Sequence, residues 1–420
     1  MLNSADRGGG AERLAMTVLD GFEALGTETW LAVGTKRTDH PRVVRLDASP
    51  FVDYSRDQSP RRLAALKLRR RVTRSLGLED FEHPWSRRVL EMAGSPPDVV
   101  LCDNLHGGWF DLRALPALSR SRPLVLRLAD SWPFTGHCAC PLGCGRWETG
   151  CGRCPDLEIP PAIRRDVTRL NWRRKRHAFS GSRLFLAAPS RWLLERASRS
   201  LLAPAIAEAR VIPGAVDLDV FNPGDRNGTG EARRLLYVSH GGADNPYKDF
   251  ATIREAVARL RGPVELTVVG GAKAATERLG ENRVIRHLAY VDSAPELATL
   301  YRSADVYVHA APEESFCLTA AEALACGTPV VAAAAGGVRE VVEHGHTGFV
   351  SHPGDPRALA DALARLRHEP QLRARMGAAG VAVARRRFDG ERVVAELHAW
   401  CAEIAEREGA RQPAAAGAKP

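Results

Sequence analysis

Two carboxylates eight residues apart, Glu314 and Glu322, stand in the segment PEESFCLTAAEALACGTPVVAAAAGGVREVVEHGHTGFV, Pro312 to Val350. Glu314 is expected in a turn, and Glu322 a little over one turn into a small-residue helix from Thr319 to Cys326. An apolar strand, Thr328 to Ala333, and a glycine turn at Gly336 and Gly337 follow. A helix N-terminus offers unpaired N–H groups and a positive dipole end to a diphosphate. A carboxylate on the helix can accept from ribose hydroxyls, and one on the turn from a sugar. The segment is therefore expected to grip a sugar nucleotide. Lys248, in NPYKDF just after a predicted strand, lies where a phosphate would need a counter-charge.

Those residues need a scaffold, and the pattern along the chain supplies one. Strands and helices alternate, as in a parallel sheet covered on both faces. In the first half, 28–33, 98–101, 124–128, 184–187 and 210–212 read as strands. The second half restarts the pattern at 235–239, 265–269, 284–287, 306–309 and 330–333. The fold class is α/β, with two doubly wound Rossmann-like domains facing a cleft. The predicted boundaries are 1–213 for the first domain, carrying a Cys-rich insertion at 137–155, and 214–232 for a Pro-, Gly- and Asp-rich linker. They continue with 233–388 for the second domain, 389–408 for a helix crossing back to the first, and 409–420 for a disordered tail. The start is unusual: only Met1 and Leu2 precede Asn3, and GGG arrives at Gly8–Gly10. Either the first strand is mostly missing or the true start lies upstream, and the second reading is favoured.

Bulk properties narrow the classes. The 420 residues carry 45% hydrophobic and 26% charged side chains with a net charge of +9, ordinary for a soluble protein too long for one core. Without a membrane-span-length apolar run or a secretory leader, a cytoplasmic place is expected. The basic residues cluster at 61–74, RRLAALKLRRRVTR, and 164–176, RRDVTRLNWRRKR. Either patch can be a solvated helix face, or can meet an anionic partner. For the first, a peripheral contact with the inner membrane is considered, Leu63, Leu66 and the stems of Lys67 and Arg70 sharing a face. No nucleic-acid motif accompanies either patch.

Taken together, GGAER at 9–13, Lys248, the Glu314-Ser-Phe and Glu322-Ala-Leu-Ala-Cys-Gly-Thr-Pro pair, and Gly336-Gly337-Val-Arg-Glu340 resemble glycosyltransferase family 4. CDNLHGGWF (102–110), DSWPFTGHC (130–138) and CGRWETGCGRCP (144–155) are similar to its colanic-acid-type exopolysaccharide branch. The resemblance implies the GT-B fold and a retaining hexosyl transfer from a nucleotide-diphosphate sugar, the donor, without a catalytic cofactor or metal. The acceptor would be carbohydrate, lipid-linked, or a small molecule such as an aminoglycoside. Glu322 would take the ribose, Glu314 the transferred sugar, and Lys248 the leaving phosphate. Phe316, Cys317 and Leu318 would offer backbone N–H groups, with Gly9 and Gly10 admitting donor and acceptor. Three positions depart from the family: Cys317 replaces a usual Gly, Ala129 a frequent reaction-centre His, and His240 stands near where an Arg is common. His106 and Asp130 complete the expected catalytic set, with His137 as a possible rim residue.

Five cysteines fall between 138 and 154. Cys151-Gly-Arg-Cys154 has zinc-knuckle spacing, and Cys138, Cys144, Cys151 and Cys154 are the four shared with the family branch. A structural zinc is preferred to two disulfides or reduced thiols, because disulfides do not persist in a reducing cytoplasm. Two other classes fit the sequence less well. A Rossmann-type NAD-dependent oxidoreductase lacks its G-x-G-x-x-G with a downstream acid. A zinc-containing nucleic-acid-binding protein leaves Glu314, Glu322 and Lys248 unexplained.

Overall fold

A computed structural model describes residues 1–54, 59–224 and 233–409. The chain divides into two compact units, residues 1–212 with 394 onward, and 213–393. Residues 225–232 of the expected linker and 410–420 of the expected tail lie outside the described residues.

The first unit is a seven-stranded sheet. Its strands are β1 (Leu2–Ala5), β2 (Leu31–Thr35), β3 (Val43–Arg45), β4 (Val100–Cys102), β5 (Leu124–Arg127), β6 (Leu184–Ala188) and β7 (Ile206–Val211). They lie in the order β3-β2-β1-β4-β5-β6-β7, all parallel. Against them stand α1 (Gly10–Ala24), α2 (Pro60–Ser75), α3 (Leu115–Ser121), α4 (Thr168–Ser180) and α5 (Arg191–Ser198). The strand at the start of the chain does form: Leu2, Asn3 and Ala5 pair with β2 on one side, and Leu2 with β4 on the other. Its short length suffices because Asn3, fully buried, anchors the turn by donating to the Ala5 carbonyl at 2.7 Å.

The second unit repeats the plan. Its strands are β8 (Arg234–Val238), β9 (Val264–Gly271), β10 (Ala275–Arg278), β11 (Arg283–Ala289), β12 (Val306–Glu314), β13 (Val330–Gly336) and β14 (Gly348–Ser351). The order is β10-β11-β9-β8-β12-β13-β14, and only the edge strand β10 is antiparallel. The helices are α6 (Phe250–Arg259), α7 (Ala294–Ser303), α8 (Leu318–Ala325), α9 (Val338–Val341), α10 (Pro356–His368) and α11 (Pro370–Arg387). The last helix, α12 (Gly390–Gly409), contributes its residues from Val394 to the first unit, where Trp400 donates to Glu208 at 2.8 Å.

Both units thus have strand order reversing beside their first strand, the crevice where open α/β sheets bind ligands. In the second unit this crevice lies between β8 and β12. Apolar strands buried on both faces explain the arrangement: Leu235, Tyr237, Val306, Val308 and Ala310 pack on one face, with Leu236, Tyr307 and Ala332 on the other. Helix α11 presses on α8 through Gly377, where a Cβ would come 2.4 Å from the Gly327 carbonyl. No helix of the described residues is long and apolar enough to cross a membrane.

Gly336, at the end of β13, has φ +88°, and a Cβ there would meet the Glu314 carbonyl oxygen at 2.3 Å. Gly336→Ala is expected to destabilise the second unit by about 3 kcal/mol, read as a lower urea midpoint.

Candidate active site

Lys248 and Glu314 meet at the carboxyl ends of β8 and β12. Strand β12 runs through Pro312 to Glu314, longer than the sequence pattern suggests, so Glu314 sits at a strand end rather than in a turn. Its pairing with β13 slips between Ala311 and Glu314, and the Gly337 N–H bonds the Glu314 carbonyl at 2.7 Å. The carboxylate is thereby aimed at the loop after β8. That loop is tied to the same strand, because the Asp249 N–H donates to the Ala310 carbonyl at 3.1 Å. Asp249 also caps α6 through the Thr252 N–H at 3.0 Å.

Lys248 precedes that cap, and its ammonium donates to Glu314 Oε2. His309, fully buried on β12, places Nε2 3.3 Å from the same oxygen and 3.6 Å from the Cys317 thiol. Burial opposes ionisation of Glu314, but the Lys248 charge and His309 outweigh it and hold the carboxyl at about 2. Burial would equally lower Lys248 and His309. The Glu314 charge raises Lys248 above its usual range, and Cys317 with Glu314 brings His309 to about 9. Charge thus compensates charge within one buried cluster.

Cys317 caps α8 with φ +79° and ψ 69°, the left-handed region that L side chains disfavour. It is fully within the core, its thiol also 3.6 Å from Thr319 Oγ1. Phe316 is likewise buried, its ring against Phe388 at 5.5 Å, so only its backbone is available to a ligand. Leu318 opens α8 and is half-buried. Glu322 lies 2% exposed in α8 and accepts from the buried Tyr301 hydroxyl at 2.9 Å. His240 is exposed after β8, its ring 5.5 Å edge-on from Tyr290, and its carbonyl accepts from Asn245 at 2.7 Å.

In the first unit, Gly9 caps α1 and Gly10 begins it, both following β1. The turn is braced by Ser4, which donates to Glu12 at 2.9 Å. His106, after β4, sits 3.1 Å from Asp130, after β5. Burial lowers the imidazole's pKa, but the Asp130 charge and hydrogen bond outweigh it and the net direction is up. Behind the pair lies Lys175, part of the basic segment 164–176 for which the sequence leaves a solvated face and an anionic partner both open. It is fully buried, donates to the Trp132 carbonyl at 2.8 Å, stands 3.2 Å from Glu79, and lies 3.6 Å over the Trp132 ring.

The cysteine-rich loop departs from expectation. Cys138, Cys144, Cys151 and Cys154 are free thiols. Among the described residues, no three of them bring ligand atoms within 4.8 Å of one another. Four thiolates on one tetrahedral zinc would sit under about 4 Å apart, so these residues as arranged do not fit that ion. Burial instead pushes the Cys138 and Cys151 thiols up to about 12 and about 11. The loop is held by hydrogen bonds, among them Cys154 N–H to Asp166 at 2.8 Å and Gly152 N–H to Thr168 at 2.9 Å. Cys154 also lies 3.3 Å from His137 Nε2. Two other groups of ligand-type side chains do converge among the described residues: the surface set Asp20, Glu23 and His40, and His309, Glu314 and Cys317. In the second, the Lys248 ammonium already occupies the carboxylate.

His309, Tyr301 and Lys175 were missed from sequence. Lys175 had a readable signal, because Thr168, Asn171, Trp172, Lys175, Ala178 and Phe179 repeat at the spacing of one buried helix face. His309 had only its oddity, one polar residue in the apolar run VYVHAA.

Two Rossmann-like units of parallel sheet, with an ion cluster at the switch point of the second, define the GT-B glycosyltransferase class of fold. Residues 225–382, which fall mostly in the second unit, match the family described as glycosyl transferases group 1. The chain is 35% identical over 223 residues to the D-inositol 3-phosphate glycosyltransferase of Xylanimonas cellulosilytica, covering 48% of this chain and 52% of that one. The chain spans about half the length of the curated relatives it matches. Its fold is similar to that of sucrose-phosphate synthase from Thermosynechococcus elongatus, with TM-score 0.63 and 19% identity over 97% of this chain and 96% of the other. It is also similar to Anabaena HepE in complex with UDP-glucose, with TM-score 0.61 and 18% identity over 97% and 98%.

The raised His309 makes a signed prediction. A group whose folded pKa is raised stabilises fully below its ordinary 6.5 and loses that contribution as pH rises through about 9. The rise corresponds to at most about 3 kcal/mol. Glu314 behaves oppositely, stabilising above its ordinary 4.5 and losing that as pH falls toward about 2. Melting scans from pH 6.5 to 9.5 should show a fall in Tm for the wild type that is at least halved in His309→Asn.

Proposed function

We propose that this chain is a retaining glycosyltransferase that moves a hexosyl group from a nucleotide-diphosphate sugar to an acceptor hydroxyl. The carrying observation is the partly buried Lys248–Glu314 pair with the fully buried His309, beside the N-terminus of α8 in the region that matches group 1. Before a donor binds, Glu314 holds Lys248. A diphosphate arriving at α8 offers the ammonium a second anion, and the helix N-terminus adds its partial positive charge. Lys248 then neutralises the phosphate, and Glu314 turns its accepting oxygens to the sugar hydroxyls.

In the transfer step the bond from the sugar's anomeric carbon to the phosphate oxygen breaks, its electron pair leaving with the nucleoside diphosphate. The acceptor oxygen bonds that carbon on the same face, and its proton passes to the departing phosphate oxygen. Negative charge grows on that phosphate in the transition state, where a fixed lysine and preorganised N–H groups act most strongly. Glu322 would take the ribose hydroxyls after exchanging its Tyr301 contact. Backbone N–H groups of Phe316, Cys317 and Leu318 would meet the diphosphate and sugar, with His240 at the rim. His106, oriented by Asp130, is the acceptor-side group, and Gly9 and Gly10 leave backbone accessible nearby in the first unit. This chemistry draws on no metal in our reading. The resemblance to family 4 supports retention.

UDP-glucose is the first donor to test, since a similar fold has been solved with it. D-inositol 3-phosphate is the first acceptor, from the named relatives. Lipid-linked glycans and aminoglycosides follow. Calorimetric titration across UDP-, GDP- and ADP-sugars should find one donor that binds, with Lys248→Ala and Glu322→Ala each weakening it by about 10- to 100-fold. No binding by any sugar nucleotide would refute the reading.

A further inference from the structure

Helix α2 carries seven Arg and Lys side chains and no acid over Pro60–Ser75. None of its residues is buried, although it is sixteen residues long. Leu63, Leu66, Arg70 and Thr73 form its half-buried inner face, with both leucines packed against the core. The face named from sequence as a membrane contact is therefore the inward one. The outer face differs. Leu68 is 63% exposed, Val72 48% and Leu76, just past the helix end, 40%. They recur every fourth residue, so they form one stripe along the axis, widened by exposed Ala64 and Ala65. Three of the seven large apolar side chains that the described residues expose are thus aligned on this short segment.

Charge flanks the stripe on both sides. At helical spacing Arg62 and Arg69 border one edge, and Lys67 and Arg71 the other. Along the second edge opens a recess of about 780 Å³, lined by Lys67, Arg70, Arg71, Arg74 and Arg164, with Glu79 and Asp80 among its other lining residues. Arg70 and Arg74 are fixed there by Asp80, each with a nitrogen 3.0 Å from its carboxylate. An isolated protein face would not gain from an apolar row bracketed by like charges. A surface that is apolar at depth and anionic at its rim would.

We propose that α2 is a docking helix for an anionic lipid bilayer. Leu68, Val72 and Leu76 enter the acyl boundary, the flanking Arg and Lys meet phosphate headgroups, and the recess seats one headgroup beside Arg71 and Arg164. The chain lies on the membrane rather than crossing it. This inference is independent of the transfer reading, because no donor-side residue takes part.

The test is flotation of the full-length protein with vesicles of 30% phosphatidylglycerol in phosphatidylcholine, against phosphatidylcholine alone. The wild type should float with the anionic vesicles only, and release as salt rises from 0.1 to 0.5 M, where the Debye length shortens from about 10 Å to about 4 Å. Leu68→Ser/Val72→Ser and Arg69→Glu/Arg71→Glu should each lower the bound fraction by about tenfold or more, with unchanged Tm because the positions are exposed. Failure of the wild type to float overturns the proposal, as does flotation that both double variants retain. A dimer in light scattering that Leu68→Ser/Val72→Ser dissolves would also overturn it, because the stripe would then belong to a second copy.

Discussion

A lysine, a glutamate and a histidine share one oxygen-centred contact at the carboxyl end of the central strands of the second sheet. Separating such charges from water is costly unless each is paired and hydrogen-bonded. Lys248 and Glu314 pair with each other, and His309 supplies a second donor to the carboxylate. The geometry follows from backbone ties rather than from the side chains alone. The Asp249 N–H fastens the lysine loop to β12, and the Gly337 N–H fixes the strand end that carries Glu314.

The left-handed Cys317 belongs to the same economy of placement. A residue with a side chain is strained at that backbone conformation. Here the thiol lies against His309 and Thr319, contacts a glycine would lack. The helix that follows is short and made of small buried residues, which allows α11 to approach its C-terminal end within glycine distance, Gly377 against Gly327 and Gly380 against Leu324. The first unit solves a parallel problem differently. Its His106–Asp130 pair is backed by Lys175, a fully buried cation that bonds a carbonyl, a carboxylate and an aromatic face at once.

Much of this was legible in the residues. The alternation of apolar runs located most strands in both units, because strands buried on two faces leave continuous apolar signals. Strands β3, β10 and β14 left little signal: β3 is three residues long, β10 is an exposed edge, and β14 is four residues opened by a glycine. Strand β12 outran its apolar run because Pro312 and two acids ended the pattern while the pairing, slipped by an irregularity, continued. The spacing of Glu314 and Glu322 with Lys248 found residues that the structure places at one end of the second sheet. It could not show that Lys248 and Glu314 bond each other, since they lie 66 positions apart. The cysteine spacing suggested a zinc knuckle, yet spacing constrains only sequence distance, and the loop's own hydrogen bonds keep the thiols apart.

The central claim is that Glu314 holds Lys248 until a diphosphate takes it. Calorimetry on Glu314→Gln tests this most directly, comparing the bare nucleoside diphosphate with its sugar conjugate. With the competing carboxylate neutralised, the bare diphosphate should bind at least as tightly as to the wild type, while the sugar conjugate loses its added affinity. Weakening of the bare diphosphate to the level of Lys248→Met would contradict the account, because Glu314 would then be supporting the phosphate site rather than competing for its lysine.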